Sequence, residues 1–292
     1  MKRLMLLILS LALLAAACGS KGASSLGTAP PGTPGSPTPT TTPPTTSPSP
    51  TKTPTSAPPP TSSGQTFTFE VWFDYDSKLF VTQRTKPFTA AVGQAALDEV
   101  FAGPSSIERD AAVSTSIPDG LRGDITALVK GIATVDIHPD FYEGSVASVR
   151  LREAQVVYTL TQYSTIESVQ LTQADANVLA NPVGRGDFED LLPPILVESP
   201  IVGEQVSNPV TISGTANVFE ATVSVRILDE NGNEIARTFT TATCGSGCWG
   251  DYSVSVAYTV DHQQMGSIEV LDYSAKDGSQ ENVISIPVIL TP

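Results

Sequence analysis

The chain opens on an apolar run from Leu4 to Ala17, broken by Ser10 alone and preceded by the positive start Met1-Lys2-Arg3. At about 1.5 Å per residue this run reaches roughly 21 Å, short of the roughly 30 Å hydrocarbon layer. It predicts an export signal over residues 1–17 and not a spanning helix. Residues 18–65 show no apolar periodicity, being almost entirely Pro, Thr, Ser, Gly and Ala. Nothing there offsets the entropy of ordering the chain, which predicts a disordered tether. Alternation begins at Phe67. Phe67–Phe73 and Lys78–Arg84 read as strands joined by the turn residues Asp74-Tyr75-Asp76-Ser77. Helical spacing of Phe88, Val92, Ala95, Ala96 and Val100 predicts a helix from Pro87 to Phe101, stopped by Gly103-Pro104. Strands follow at Ile125–Val129 and Gly131–Ile137, then a helix at Val146–Gln162 and a closing strand at Ile166–Thr172. The order β-β-α-β-β-α-β over residues 66–177 predicts an α+β domain, its helices packed on one face of a sheet.

Residues 178–193, with breakers at both ends, read as a linker. Beyond them lie seven short β-rich segments: Ile195–Glu198, Val210–Gly214, Thr222–Leu228, Glu234–Thr241, Tyr252–Tyr258, Ser267–Tyr273 and Val283–Leu290. Asn231-Gly232 is a hairpin signal between the third and fourth. Seven alternating strands in residues 194–292 predict an all-β immunoglobulin-like sandwich.

Charge narrows the function classes. From Gln65 onward, 12 Lys plus Arg stand against 30 Asp plus Glu, a difference of −18. Phosphate backbones repel such a surface, so nucleic acid is excluded as a partner. An anionic bilayer repels it too, so the folded part stands off from a membrane at the end of its tether. Thirteen of the 24 prolines fall between Ala23 and Ser63. In polyproline II, at about 3.1 Å per residue, the tether would reach about 140 Å.

Cysteine usage carries most of the site chemistry. Leu14-Ala15-Ala16-Ala17-Cys18-Gly19 resembles a bacterial lipobox, with Ala15 where leucine is commonest. That resemblance implies a diacylglycerol on Cys18 and anchoring of the mature protein in the bilayer, on the extracytoplasmic face of the cell membrane. An ordinary signal peptide cut at Ala-x-Ala is the alternative. Cys244 and Cys248 are the remaining thiols, and an isolated pair in an exported protein closes a disulfide. A metal would need further ligands, and His138 and His262 are the two histidines in the chain. No metal or cofactor is expected.

Catalytic patterns are missing: no Gly-x-Ser-x-Gly elbow, P-loop or His-Glu-x-x-His occurs. Asp74/Asp76, Asp187/Glu189/Asp190 and Asp229/Glu230 read as solvated turn or linker charges, and Arg185-Gly186-Asp187 as linker. Asp229-x-Asn231-x-Asn233 fails as an EF-hand, because Glu234 occupies the position that needs glycine.

Four ordered motifs bear a family resemblance: Phe101-Ala-Gly-Pro104, Ser116-Ile-Pro-Asp-Gly120, Gly131-Ile-Ala-Thr-Val-Asp136 and Gln155-Val-Val-Tyr-Thr-Leu-Thr-Gln162. Together they resemble the GerMN domain of sporulation and germination proteins. Ser199-Pro200, Asn208–Ala216, Phe219-Glu220 and Tyr273–Gly278 resemble the immunoglobulin-like domain often found behind it. The resemblance implies an extracytoplasmic assembly or scaffold module, related in fold to ring-building domains of secretion-like machines, with no catalytic residues. The expectation is therefore a non-enzymatic envelope lipoprotein that binds peptidoglycan, a neighbouring envelope protein or copies of itself. Two alternatives stay open: a wall hydrolase or accessory subunit using an unrecognised carboxylate pair, and the sensor subunit of a signalling pair.

Overall fold

The computed structural model describes residues 64–292, which fall within one compact unit. The signal segment, Cys18 and the tether up to residue 63 lie outside the described residues. Strand β1 (Thr66–Tyr75) pairs with β2 (Lys78–Pro87) in register from Thr66 opposite Pro87 to Tyr75 opposite Lys78. Asp76 and Ser77 close the hairpin at φ 49° and 62°, the left-handed geometry of a two-residue turn that matches strand twist. The predicted helix start at Pro87 is overturned. Proline instead ends β2, where the next amide, that of Phe88, donates to the Gln65 carbonyl at 2.9 Å. A strand end tolerates the missing donor.

Helix α1 (Val92–Ala102) buries Ala96, Leu97 and Val100. A short helix α2 (Ser106–Asp110), not expected from periodicity, starts on a capping box between Ser105 and Glu108. Strands β3 (Gly123–Val129) and β4 (Ile132–Ile137) form the second hairpin across Lys130-Gly131. Helix α3 (Val146–Leu160), capped by Ser145, crosses over to β5 (Ser168–Gln173), which lies parallel to β4, and β6 (Ala176–Asn177) completes the order β3-β4-β5-β6.

The single sheet expected from the sequence is two. The β1–β2 hairpin is its own two-stranded sheet, and α1 and α3 touch both it and the four-stranded sheet. Side chains of α1, of α3 and of the turn that follows α3 seal the strand edges left open by this division. The Gln162 amide accepts from Glu70 N at 2.8 Å and donates to the Glu70 carbonyl at 2.8 Å, and Thr159 Oγ1 accepts from Trp72 N. On the other sheet, the Gln94 amide donates to the Gly123 carbonyl and accepts from Ile125 N, both at 2.9 Å. Each glutamine thus satisfies backbone groups that a neighbouring strand would otherwise take.

The connecting residues 178–193 are packed and not loose. Val183 bridges to Val169, a 3-10 turn spans Arg185–Leu191, and Phe188 is buried beneath the Arg150 guanidinium.

The second domain is a two-sheet sandwich. Strands β7 (Ile195–Ser199), β9 (Val210–Ala216) and β12 (Gly250–Val256) form a three-stranded sheet in the order β12-β9-β7. Strands β8 (Gln205–Val206), β10 (Thr222–Leu228), β11 (Glu234–Thr241), β13 (Gln264–Tyr273) and β14 (Gln280–Leu290) form a five-stranded sheet, in the order β11-β10-β13-β14-β8. Alternate residues Val223, Val225 and Ile227 on β10 and Ile268 and Val270 on β13 are fully buried between the sheets. The Tyr252 hydroxyl reaches across to the Leu196 carbonyl at 3.0 Å over Gly214, where a Cβ would collide with that carbonyl.

The two domains meet along β2 and β7. Lys78 Nζ donates to the Asp190 carbonyl at 2.6 Å, and Ile107 of α2 lies against Gly203, which has φ 78° and no room for a side chain.

Candidate interaction surface

Buried polar groups are the places to look for chemistry, and most are tied to protein partners, Tyr142 Oη and Gln155 Nε2 being buried without one among the described residues. Asp74, expected as solvated turn charge, is 5% exposed at the end of β1. Its carboxylate oxygens accept from Ser114 Oγ at 2.5 Å and Ser116 Oγ at 2.6 Å. Those serines lie 40 and 42 residues away, so the DYDS sequence alone reads as a turn. The same Ser116 gives its carbonyl to Arg152 Nε at 2.6 Å, and Arg152 Nη1 also bonds the carbonyls of Phe141 and Glu143. Burial lowers the Arg152 pKa. Asp74 and Arg152 therefore flank one residue of the Ser116–Gly120 motif and tie β1 to α3.

Glu108 is the most deeply fixed acid, at 2% exposure. It accepts from Arg84 Nη1 and Nη2 at 2.8 and 2.7 Å, from Thr82 Oγ1 at 2.7 Å and from Ser105 N at 2.7 Å. Burial alone would push this carboxyl up, yet the Arg84, Thr82 and Ser105 donors together hold it at about 2. Neither Glu108 nor Arg84 was expected as a special residue. The signal was present in Ser105-Ser106-Ile107-Glu108, a capping-box spelling.

Arg185, Asp187 and Asp190 are likewise engaged. The Arg185 guanidinium lies 5.5 Å from the Trp72 ring centroid and 4.9 Å from that of Tyr158, and donates to Thr161 Oγ1. Asp187 accepts from Gly184 N, and Asp190 takes a two-pronged bond from Arg150. The Arg-Gly-Asp tripeptide opens a 3-10 turn with Arg185 half-buried, while Gly186 and the expected solvated charges Asp187, Glu189 and Asp190 are exposed. Asp229 accepts from the Asn231 and Asn233 amides and holds the β10–β11 turn. His138 Nδ1 caps the 3-10 turn at Asp140, and no group of three metal-ligating side chains occurs among the described residues.

Cys244 and Cys248 are joined, with 5.8 Å between their Cα atoms. Their loop rests on the turn before β10: Gly247 N donates to Asn217 Oδ1 at 2.8 Å, and Ser246 Oγ to the Val218 carbonyl. This fixes the half-buried Trp249 at the same end of the sandwich as Phe219, which is 55% exposed.

Five concavities are open to ligands among the described residues. Two, of about 670 and 440 Å³, flank the Gly120–Asp124 segment, the first holding Asp98, Asp119 and Asp124 and the second Asp124, Asp136 and His138. A polar one of about 450 Å³ holds Asp74 and the hydroxyls of Ser77, Ser114, Ser116 and Ser148. An apolar one of about 510 Å³ runs between the start of α1 and β3, walled by Val92, Ile125, Leu128, Tyr163 and Ile166. Tyr163 donates to the Val92 carbonyl, and burial pushes its pKa up to about 12. The fifth lies at the domain junction, about 400 Å³ between the β1–β2 turn and β14.

Comparison with known families agrees with this two-domain layout. Residues 71–178 match the family described as sporulation and spore germination, and residues 194–279 match the immunoglobulin-like domain of bacterial spore germination. The chain carries a GerMN domain followed by a spore-germination immunoglobulin-like domain.

Among solved structures it is similar to the tandem GerMN domains of the sporulation protein GerM from Bacillus subtilis. Identity there is 12% and the TM-score 0.37, over 68% of this chain and 63% of that one. The first GerMN domain of the same protein gives 20% identity and a TM-score of 0.31, over 40% of this chain and 90% of that one. A putative lipoprotein from Clostridium perfringens gives 15% and 0.30, over 44% of this chain and 93% of that one. Comparison with curated proteins gives no match. The GerMN domain contains both fixed networks, around Asp74 and around Glu108, and the immunoglobulin-like domain contains the disulfide.

Proposed function

We propose that this protein is a non-enzymatic, lipid-anchored envelope scaffold, held to the membrane through Cys18 and displaying its two domains to the cell wall or to a partner there. The observation that carries the reading is the commitment of the two most deeply buried acids and the buried arginine of the GerMN domain to protein partners. Asp74, Glu108 and Arg152 each bond fixed protein partners, Asp74 and Glu108 through both carboxylate oxygens. The concavity at Asp74 holds one carboxylate, where glycoside hydrolysis calls for two about 5 to 9.5 Å apart. Asp98, Asp119 and Asp124 in one neighbouring concavity and Asp124 and Asp136 in another are the carboxylates the muropeptide assay below tests. Two modules of sporulation and germination families support an extracytoplasmic setting, and the acidic folded part supports a stand-off from the bilayer.

The fragment from Gln65 to Pro292, mixed with sacculi of the source organism, is expected to pellet with them and to release no muropeptides. Released muropeptides would establish a hydrolase instead, and failure to pellet would move the search to protein partners or self-assembly. The anchor is tested separately. Cys18→Ser is expected to shift the protein from the membrane fraction to the soluble exported fraction, and retention in the membrane would remove the lipid assignment.

A further inference from the structure

The cleft at the domain junction is built by both domains, and neither makes it alone. The β1–β2 turn contributes Tyr75, Asp76 and Lys78, the connection contributes Pro193, and β14 contributes Asn282 and Val283. We infer that this cleft binds an uncharged glycan, the sugar backbone of a wall polymer; the inference rests on the wall-binding reading above and gives it a site.

Its volume of about 400 Å³ falls in the range of about 300 to 1,000 Å³ common to small-ligand sites, which favour domain interfaces. Its chemistry is divided as a sugar ring is divided. The Tyr75 ring, the Pro193 ring and the Val283 side chain offer apolar surface to the C–H face of a ring. Asp76 accepts, Lys78 donates and Asn282 does both, which matches hydroxyl and acetamido groups around the rim.

Charge decides against a polyanion. The cleft pairs one carboxyl with one ammonium, within a folded part whose balance is −18. A phosphate-rich or uronate polymer would meet net repulsion from so acidic a folded part, whereas a neutral chain would not.

The polar groups are also held before any ligand arrives. Lys78 Nζ is fixed on the Asp190 carbonyl at 2.6 Å, and Asp190 is itself clamped by Arg150. Asn282 Nδ2 is fixed on Asp272 Oδ1 at 2.8 Å, and the Asn282 amide oxygen bonds no protein donor among the described residues. Tyr75 leans on Phe80, ring centroids 6.1 Å apart. Groups already ordered lose little entropy on binding.

The test is titration of the full-length protein, in detergent micelles, with chitotetraose, an uncharged N-acetylglucosamine oligomer. Saturable binding is expected, weakened about tenfold by Tyr75→Ala and by Asn282→Ala, which alter opposite walls. Tyr75→Ala is expected to melt with the wild type, and Asn282→Ala earlier, because it puts alanine at φ 52° and takes a donor from buried Asp272. Both, assayed below their melting points, are expected to lose sacculus binding in parallel. If Tyr75→Ala melts early, Tyr75→Leu and Asn282→Ala carry the test. Wild-type pelleting with sacculi that the variants retain, or that a stem peptide displaces and chitotetraose does not, would overturn the cleft while leaving wall binding intact. No pelleting and no oligomer binding would remove both.

Discussion

Glu108→Ala is expected to destabilise the GerMN domain by about 4 kcal/mol, the usual loss when one partner of a buried ion pair is removed. Two of the four donors on this carboxylate come from Arg84, which is left half-paired, since its other carboxylate neighbour, Glu99, stands at 3.5 Å. The reciprocal cap on α2 disappears in the same step, freeing the Ser105 amide. Glu108→Gln keeps an acceptor for Ser105 and Thr82 and is expected to lose about half as much. Denaturant unfolding of the three proteins checks this, and an alanine variant within about 1 kcal/mol of wild type would show that the network is not a source of stability.

The same residue sets a pH window. Its folded pKa, about 2, lies below the ordinary carboxylate value of 4.5, so the folded state holds the charged form. The contribution is fully present above pH 4.5 and is lost as pH falls through about 2, a change of about 3 kcal/mol in all. Wild type is expected to weaken steeply across that window and Glu108→Gln far less. Parallel acid curves for the two would contradict the assignment.

Arg152→Met should be nearly as severe, at about 4 kcal/mol, for a different reason. Methionine fills the space and cannot donate, so the carbonyls of Ser116, Phe141 and Glu143 lose the bonds they now receive at 2.6, 2.6 and 2.7 Å. Arg152→Lys can reach fewer of the three and is expected to recover part of the loss. Because Ser116 links Arg152 to Asp74, Asp74→Asn and Arg152→Met should be non-additive in a double-mutant cycle. Strict additivity would mean that the two ends act separately.

The alternation of the second domain was legible because its inward positions, Val223, Val225, Ile227, face one continuous core. Strands β10 and β11 have the bounds that the pattern predicts. The two-residue β8 was not legible, being too short to show a period. In the GerMN domain, periodicity found both long helices and the strands, and misplaced the start of α1 because Pro87 and Phe88 suit a helix start as well as a strand end. Nothing local says that β1 and β2 pair apart from the other strands, since that depends on which edges α1 and α3 occupy. The Asp74 site was hidden for the same reason, its serines arriving from a distant loop. The cysteine pair was legible from counting. The junction cleft was not, because it exists only once the turn at Asp76 meets β14.

The glutamines that seal β1 and β3 place the guard against aggregation on helix α1 and on the turn that follows α3, away from the strands it protects. A change of Gln94 or Gln162 to glutamate, whether by mutation or by slow deamidation, would take away the donor of each pair and leave a backbone carbonyl without its partner. Under the anchoring proposed above, copies would crowd on a membrane and meet edge to edge far more often than free molecules do. Two side-chain amides would then stand between dispersed copies and clustered ones.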